Sequence, residues 1–316
     1  MAEFIMRRLS TSILTLILVS ILVFGGTELL PGDVASQLLG QNATPQAVAA
    51  VRQELHLNQS PFVAYLQWAG GALHGNFGRS LVSGQPVASE LGIRLRNTLL
   101  IAVLAIVIGV PLSLILGIIA ALTRDRLPDL VISIGSLIGM SIPEFVVATV
   151  LVLLFSVTWH LFPAVVVADP NAPIAQLIPS IWLPALTLTI VMAAYIIRMI
   201  RTSMIDVMAS EYVATARLRG LSERRIVLRH ALPSALAPTL NVVALTIAWV
   251  VGGVVVVENV FNYPGIGTYA VQAVHDRDLP ALQALGLLGA LTYVGANFLA
   301  DLLAMGFNPR LRSTSR

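Results

Sequence analysis

Residues able to do chemistry are few in this chain and fall in separate segments. There is no cysteine, so neither a disulfide framework nor a thiolate metal site is available. The five histidines, His56, His74, His160, His230 and His275, lie far apart without ligand spacing, and no H-E-x-x-H occurs. Gly78-Arg79-Ser80-Leu81-Val82 and Gly139-Met140-Ser141-Ile142-Pro143 begin like a nucleophile elbow but lack its closing glycine. Gly265-Ile266-Gly267-Thr268-Tyr269-Ala270 imitates a dinucleotide fingerprint, yet it follows an apolar span rather than a strand and reads as a turn. All nineteen basic residues are arginine, and a Walker A loop requires lysine. The chain therefore carries no ATP engine of its own, and an ATP-driven function must take its engine from another chain. With no nucleophile and base set in view, an intramembrane hydrolase is a remote reading, and no cofactor, metal or nucleic-acid partner is expected for this chain.

What must position these residues is a membrane. The chain is 57% hydrophobic and 11% charged, with a mean hydropathy of +0.86, which places it outside the soluble range and defines an all-α polytopic membrane protein. After MAEFIMRR the sequence runs apolar from Leu9 to Leu30, long enough to cross the hydrocarbon and longer than a signal-peptide core, so residues 1–30 read as an uncleaved first span. Further spans are expected at about 98–122, 130–157, 182–200, 236–257 and 281–305. Six spans put both termini on one side. Arg7, Arg8, Arg124, Arg126, the seven arginines from Arg198 to Arg229, and Arg310, Arg312 and Arg316 make fourteen on that side against five on the other, which assigns the termini to the cytoplasm.

Residues 31–97 form an extracytoplasmic loop. Thr44-Pro45 and Ser60-Pro61 are both helix-start signals, and Val48, Val51 and Leu55 repeat at helical spacing, so two short amphipathic helices are expected before His74-Gly75-Asn76-Phe77-Gly78 breaks the pattern. Within the spans, Gly135 and Gly139 form a G-x-x-x-G suited to close helix packing, and Pro111, Pro143 and Pro184 are expected to kink their helices. Glu144 and Asp301 are costly against lipid and must face protein, water or an arginine. Either acid fits a substrate path or a structural ion pair. An ion-coupled secondary transporter using such acids is the alternative function, although no internal repeat or paired broken helices are visible.

The most polar segment lies between the fourth and fifth spans, Glu211 to Pro233, EYVATARLRGLSERRIVLRHALP. Residues 203–219 are expected to form a helix, Gly220 to end it in the left-handed conformation, and Ser222 to cap a second helix before Pro233 and Pro238. Small Ala214 and Ala216 ahead of the corner let a partner surface approach, with Arg217 and Arg219 as a fixed basic rim. The pattern is that of a docking corner. The same arginines also suit a basic loop lying on anionic lipid.

This segment resembles the E-A-A-x3-G-x9-I-x-L-P loop of binding-protein-dependent ABC importers. Ala214, Thr215 and Ala216 stand at the E-A-A positions, Gly220 at the glycine, His230 at the isoleucine, and Leu232 and Pro233 at the end, with Leu221 following the corner. Leu30-Pro31-Gly32-Asp33, Gly75-Asn76-Phe77-Gly78-Arg79-Ser80, Ser141-Ile142-Pro143, and Val257-Glu258-Asn259-Val260-Phe261 leading to Pro264-Gly265-Ile266-Gly267 resemble, in order, signatures of the dipeptide and oligopeptide permease branch. The resemblance covers nearly the whole chain. It implies a type I ABC importer permease fold in a bacterial inner membrane, with a helical insertion after the first span, a core over 98–306, a coupling loop over 201–235 and a cytoplasmic tail over 307–316. It further implies a second homologous permease, two ATPase subunits that bind ATP and Mg, an extracytoplasmic binding protein, and membrane lipid as partners. The substrate implied is a peptide or related solute. Glu144, Glu258, Pro264, Gly265 and Gly267 are candidates for its pathway or gate; the outer loop and the Pro264–Gly267 turn equally suit contact with the binding protein or a structural lid.

Overall fold

A computed structural model of the chain describes residues 2–29, 44–46, 49 and 59–307. Most of the expected helix over 44–58, the Leu30–Asp33 motif, the side chain of Asp301 and the tail arginines lie outside the described residues. Helix follows helix along the chain: α1 (Ala2–Glu28), α2 (Pro61–Leu73), α3 (Val87–Leu122), α4 (Leu127–Ser141), α5 (Glu144–Leu151) and a four-residue α6 (Ile174–Leu177). Then come α7 (Trp182–Met208), α8 (Glu211–Leu218), α9 (Glu223–Ile226), α10 (Leu232–Phe261), α11 (Ile266–His275) and α12 (Leu279–Phe307). Among the described residues four helices are long and apolar enough to cross a membrane, and six spans result if each of two bent helix pairs counts as one. The described residues form the expected helical membrane protein, with four to six spans.

Several helix limits differ from the expected ones. α3 begins at Val87, eleven residues before 98, because Glu90, Arg94 and Arg96 extend the helix into the outer layer, where each finds a local partner. The span expected over 130–157 is broken. α4 and α5 meet at 111° around Ile142-Pro143, far beyond a kink, since proline removes a backbone donor and drives its predecessor to the extended conformation seen at Ile142. After α5 the helix widens over Val152–Thr158, where the Trp159 N–H reaches back five residues to the Leu154 carbonyl.

α7 is the most buried of the long spans. It packs along α3, where a side chain at Gly117 would lie 2.8 Å from the Ile197 carbonyl oxygen, so the close approach requires glycine there. Of the expected G-x-x-x-G pair, Gly139 meets Ala194 of α7 while Gly135 faces open space. The main hydrophobic core runs through Ile101, Ala105, Leu188, Met192, Ile196, Val250 and Val257, from α3, α7 and α10. α1 lies at the margin against α12, and α2 is tied to it by Ser20–Tyr65 (2.9 Å) and the ring contacts of Phe24 with Tyr65 and Trp68.

One ion pair fixes the α4–α7 junction. The Arg201 Nε and Nη2 donate to Asp129 Oδ1 and Oδ2 at 2.5 and 2.7 Å, a bidentate fork, and the same carboxylate accepts from the Asp125 N–H and the Ser133 hydroxyl. Asp129 is 5% exposed and Arg201 27%, so the two partners are not equivalent. Removing Arg201 leaves a buried carboxylate with only neutral donors, whereas removing Asp129 leaves an arginine able to turn toward water. Arg201→Ala is therefore expected to cost about 2–4 kcal/mol and Asp129→Ala about 1–2 kcal/mol in thermal unfolding of the detergent-solubilised protein; the reverse order would contradict this assignment.

Candidate functional site

The inner corner is built by α8 and α9. α7 continues to Met208, so the expected helix over 203–219 is two helices: residues 203–208 end α7, and Ser210, in extended backbone, starts α8 at Glu211. α8 ends at Leu218, and Gly220 follows with φ +76°, the left-handed conformation expected of it. Ser222 then leads α9 in extended backbone, but its hydroxyl makes no capping bond. α9 runs through a widened turn, Val227–Ala231, into α10, so the second arm of the corner is continuous with the fifth span.

α8 buries Val213 and Ala216 against Ile226, with Val207, Met208 and Leu221 packed around them. This corrects one expectation, because Ala216 faces inward as a hinge of the corner and is not part of its outer surface. Ala214, Thr215, Arg217, Arg219 and Gly220 are exposed, and Leu218 is 89% exposed at the tip. Leu218 was not singled out from the sequence, although an apolar residue between two arginines was a readable signal. Arg217 forks onto Glu223 at 2.7 and 3.3 Å across the corner, and this partner holds its guanidinium above the ordinary value. His230 bonds through Nδ1 to the Tyr212 hydroxyl at 2.6 Å, ring against ring, and braces α8. Leu232 packs in a small core with Ile200, Met204 and Ala235, and Pro233 opens α10. Those three residues hold the corner and do not form its tip.

At the other end of the bundle the structure brings Glu258, Gly265 and Gly267 together. Glu258 is fully buried near the end of α10. Its Oε1 accepts from the Thr98 hydroxyl at 2.6 Å, and its Oε2 accepts from the Gly267 N–H at 2.6 Å. Thr98 Oγ1 in turn accepts from the Ile266 N–H at 2.9 Å. The carboxylate thus sits at the N-terminus of α11, where unpaired amides favour an anion. The expected turn over 265–270 is in fact the start of this helix. A Cβ on Gly267 would lie 2.4 Å from Val255 Cα and 2.9 Å from Glu258 Oε2, which explains why the fingerprint-like glycines are there.

Neighbouring bonds extend this joint. Asn97 Nδ2 donates to the carbonyls of Pro264 (2.8 Å) and Pro170 (3.0 Å), Arg96 reaches Asn97 Oδ1, Pro170 and Ala172, and the Tyr263 hydroxyl donates to the Asn97 carbonyl at 3.1 Å. The Ser80 hydroxyl donates to Asp278, as does the Leu81 N–H at 3.1 Å, and Asp278 caps α12 through Ala281. The Gly75–Ser80 motif is therefore clamped to the start of the last span. Glu144 belongs to neither group. It lies at the α4–α5 break, lining a pocket of about 400 Å³ with Tyr195, Trp249 and Val256.

These features define a polytopic helical membrane protein. No group of three or more potential metal ligands occurs among the described residues. Residues 113–313 match the family described as binding-protein-dependent transport system inner membrane component, and residues 1–115 match the corresponding N-terminal family. The chain belongs to this family. A probable peptide ABC transporter permease of Sinorhizobium fredii is 36% identical over 99% of this chain and 100% of its own length. A putative peptide transport system permease of Brucella abortus is 37% identical over 99% of each chain, and the glutathione transport system permease GsiC of Escherichia coli K12 is 36% identical over 99% of each. In fold, the chain is similar to an inward facing MetNI methionine ABC transporter, with TM-score 0.52, 18% identity, and coverage of 70% of this chain and 96% of that one. It is a multi-pass inner-membrane permease of an ABC importer, a transport subunit that works with ATPase and substrate-binding partners.

The outer joint yields a stability test. Gly267→Ala is expected to cost about 2–3 kcal/mol in thermal unfolding, through overpacking against Val255 and the Glu258 carboxylate. Gly135→Ala, whose added carbon meets nothing within 4 Å, serves as the control and is expected to be neutral or slightly stabilising.

Proposed function

We propose that this chain forms half of the translocation pathway of a peptide importer and takes its power stroke through the Gly220 corner. The observation that carries this reading is the corner itself. An exposed apolar tip, Leu218, and a left-handed glycine stand outside a bundle whose long helices α7 and α10 run directly into its two arms. A tip of this kind fits a cleft on an ATPase subunit. ATP and Mg bind to two such subunits, since this chain has no lysine for a phosphate loop.

A second, homologous permease completes the pathway, and an extracytoplasmic binding protein delivers the substrate. The peptide assignment is supported by the names of the relatives, two of which are peptide permeases and one a glutathione permease. Both termini and the corner lie in the cytoplasm. The arginine distribution supports this orientation. In an alternating-access cycle, ATP draws the two ATPase subunits together, the seated corners move with them, and the spans reopen outward to accept peptide.

The conformational demand at Gly220 gives the test. A Cβ there meets nothing within 4 Å, so substitution acts through φ alone. Gly220→Asn, a residue that tolerates left-handed backbone, is expected to keep most ATP-driven uptake in proteoliposomes carrying all partners, whereas Gly220→Val is expected to lose it at least about tenfold with insertion intact. Leu218→Asp is expected to reduce co-purification of the ATPase subunits. Full uptake by the Gly220→Val variant would exclude the corner as the coupling element.

A further inference from the structure

Glu144 stands at the most abrupt break in the membrane bundle. Pro143, in extended backbone, ends the bend after α4, and its carbonyl accepts from the Val146 and Val147 N–H groups to start α5. Glu144 is therefore the first residue of the new helix, in a segment that the 111° bend turns back on itself. Its Oε2 is shielded from solvent and has no hydrogen-bond partner. The other residues lining its pocket are Gly139 to Pro143, Phe145, Val191, Tyr195, Trp249 and Val256, with no basic side chain among them. Tyr195 and Trp249 remain 44% and 41% exposed, Tyr195 among α7 neighbours that are packed away.

A carboxylate without a partner is costly at membrane depth, and a lipid-facing position would make it more so. Such a carboxylate must face protein, water or an arginine, and no arginine lines this pocket. Carboxylate and aromatic faces together are the chemistry that receives an ammonium group: the anion supplies charge, and the ring faces add cation–π attraction while rejecting anions.

We propose that the Glu144 pocket is a cation subsite in the translocation pathway, taking a protonated primary amine of the passing peptide against Glu144, Tyr195 and Trp249. The amine is the amino terminus or a lysine side chain. This assignment rests on the permease reading above. It also accounts for the open bend, which leaves the carboxylate at a helix start instead of inside a packed helix–helix contact.

Because the chain has no cysteine, Ser141→Cys places a single thiol of this chain in the pocket. In proteoliposomes of the complete transporter, that thiol is labelled with an ethylammonium and an ethylsulfonate methanethiosulfonate, each rate normalised to that on a free thiol. The cationic reagent is expected to react at least about tenfold faster, Glu144→Gln to abolish the preference, and Glu144→Asp to keep it. During turnover, a peptide with a free amino terminus slows labelling in the Glu144 background and not in Glu144→Gln. Protection by an N-acetylated, lysine-containing peptide assigns the amine to side chains, and protection by the free terminus alone assigns it to the terminus. Equal labelling by the two reagents, a preference that survives Glu144→Gln, or protection by an N-acetylated, lysine-free peptide overturns the subsite. Normal uptake without charge preference removes the subsite and leaves the peptide-importer reading intact; charge preference without ATP-driven peptide uptake removes the peptide-importer reading instead.

Discussion

The bundle depends at its outer end on one buried carboxylate. Glu258 is fully buried, and its oxygens are held by a hydroxyl from α3 and a backbone amide from α11. Burying an ionisable group is tolerable only when such donors are in place, so the surrounding sequence is constrained in turn. Gly265 and Gly267 leave room for the carboxylate, Thr98 relays between it and the Ile266 amide, and Asn97 with Tyr263 holds the intervening turn. Three helices and the loop before α6 are joined through atoms that cannot be exchanged singly without leaving another buried group unpaired.

The inner end is organised on the opposite principle. Its corner is held by a small apolar contact of Val213, Ala216 and Ile226, one exposed ion pair and one Tyr212–His230 bond. Exposed pairs add little stability. The corner is thus lightly bonded within itself but firmly rooted, since both of its arms lead into long helices. A part of that kind moves as a unit when a partner pulls on its tip.

How much of this was legible in the sequence follows from the distance over which each feature is encoded. The spans and the Gly220 corner depend on residues close together, and the structure has them in the expected order. Helix ends were less legible. α3 extends through Glu90, Arg94 and Arg96, which hydropathy reads as loop but which find partners once the outer layer is folded. Pro143 announced a bend without its size. Ala216 is small and adjoins the corner, which suits an outer surface, but the fold of the corner places it against Ile226, a contact ten residues away that its own segment does not state. The outer joint was legible only as an ordered string of short motifs. Thr98 and Glu258 are separated by 160 positions, and their bond is a product of folding that neither local sequence states.

α10 passes all three places of interest. It begins just beyond the corner, carries Trp249 and Val256 along the Glu144 pocket, and reaches Glu258 one turn from its end. Thirty residues of helix follow a path of about 45 Å, bent by 45° before Pro238, enough to reach through most of a bilayer. A helix clamped at its outer end and driven at its inner end can only pivot about the clamp, and Pro238 near the driven end removes one backbone bond that would resist bending there. The residues displaced most by such a pivot lie toward the corner, and those beside the joint are displaced least. Trp249 lies between these limits, so in the proposed cycle its approach to Glu144 changes with the state of the corner while the joint stays closed. In that proposed cycle the buried carboxylate at position 258 sets the fixed point against which a movement begun at Gly220 becomes a change in the membrane interior.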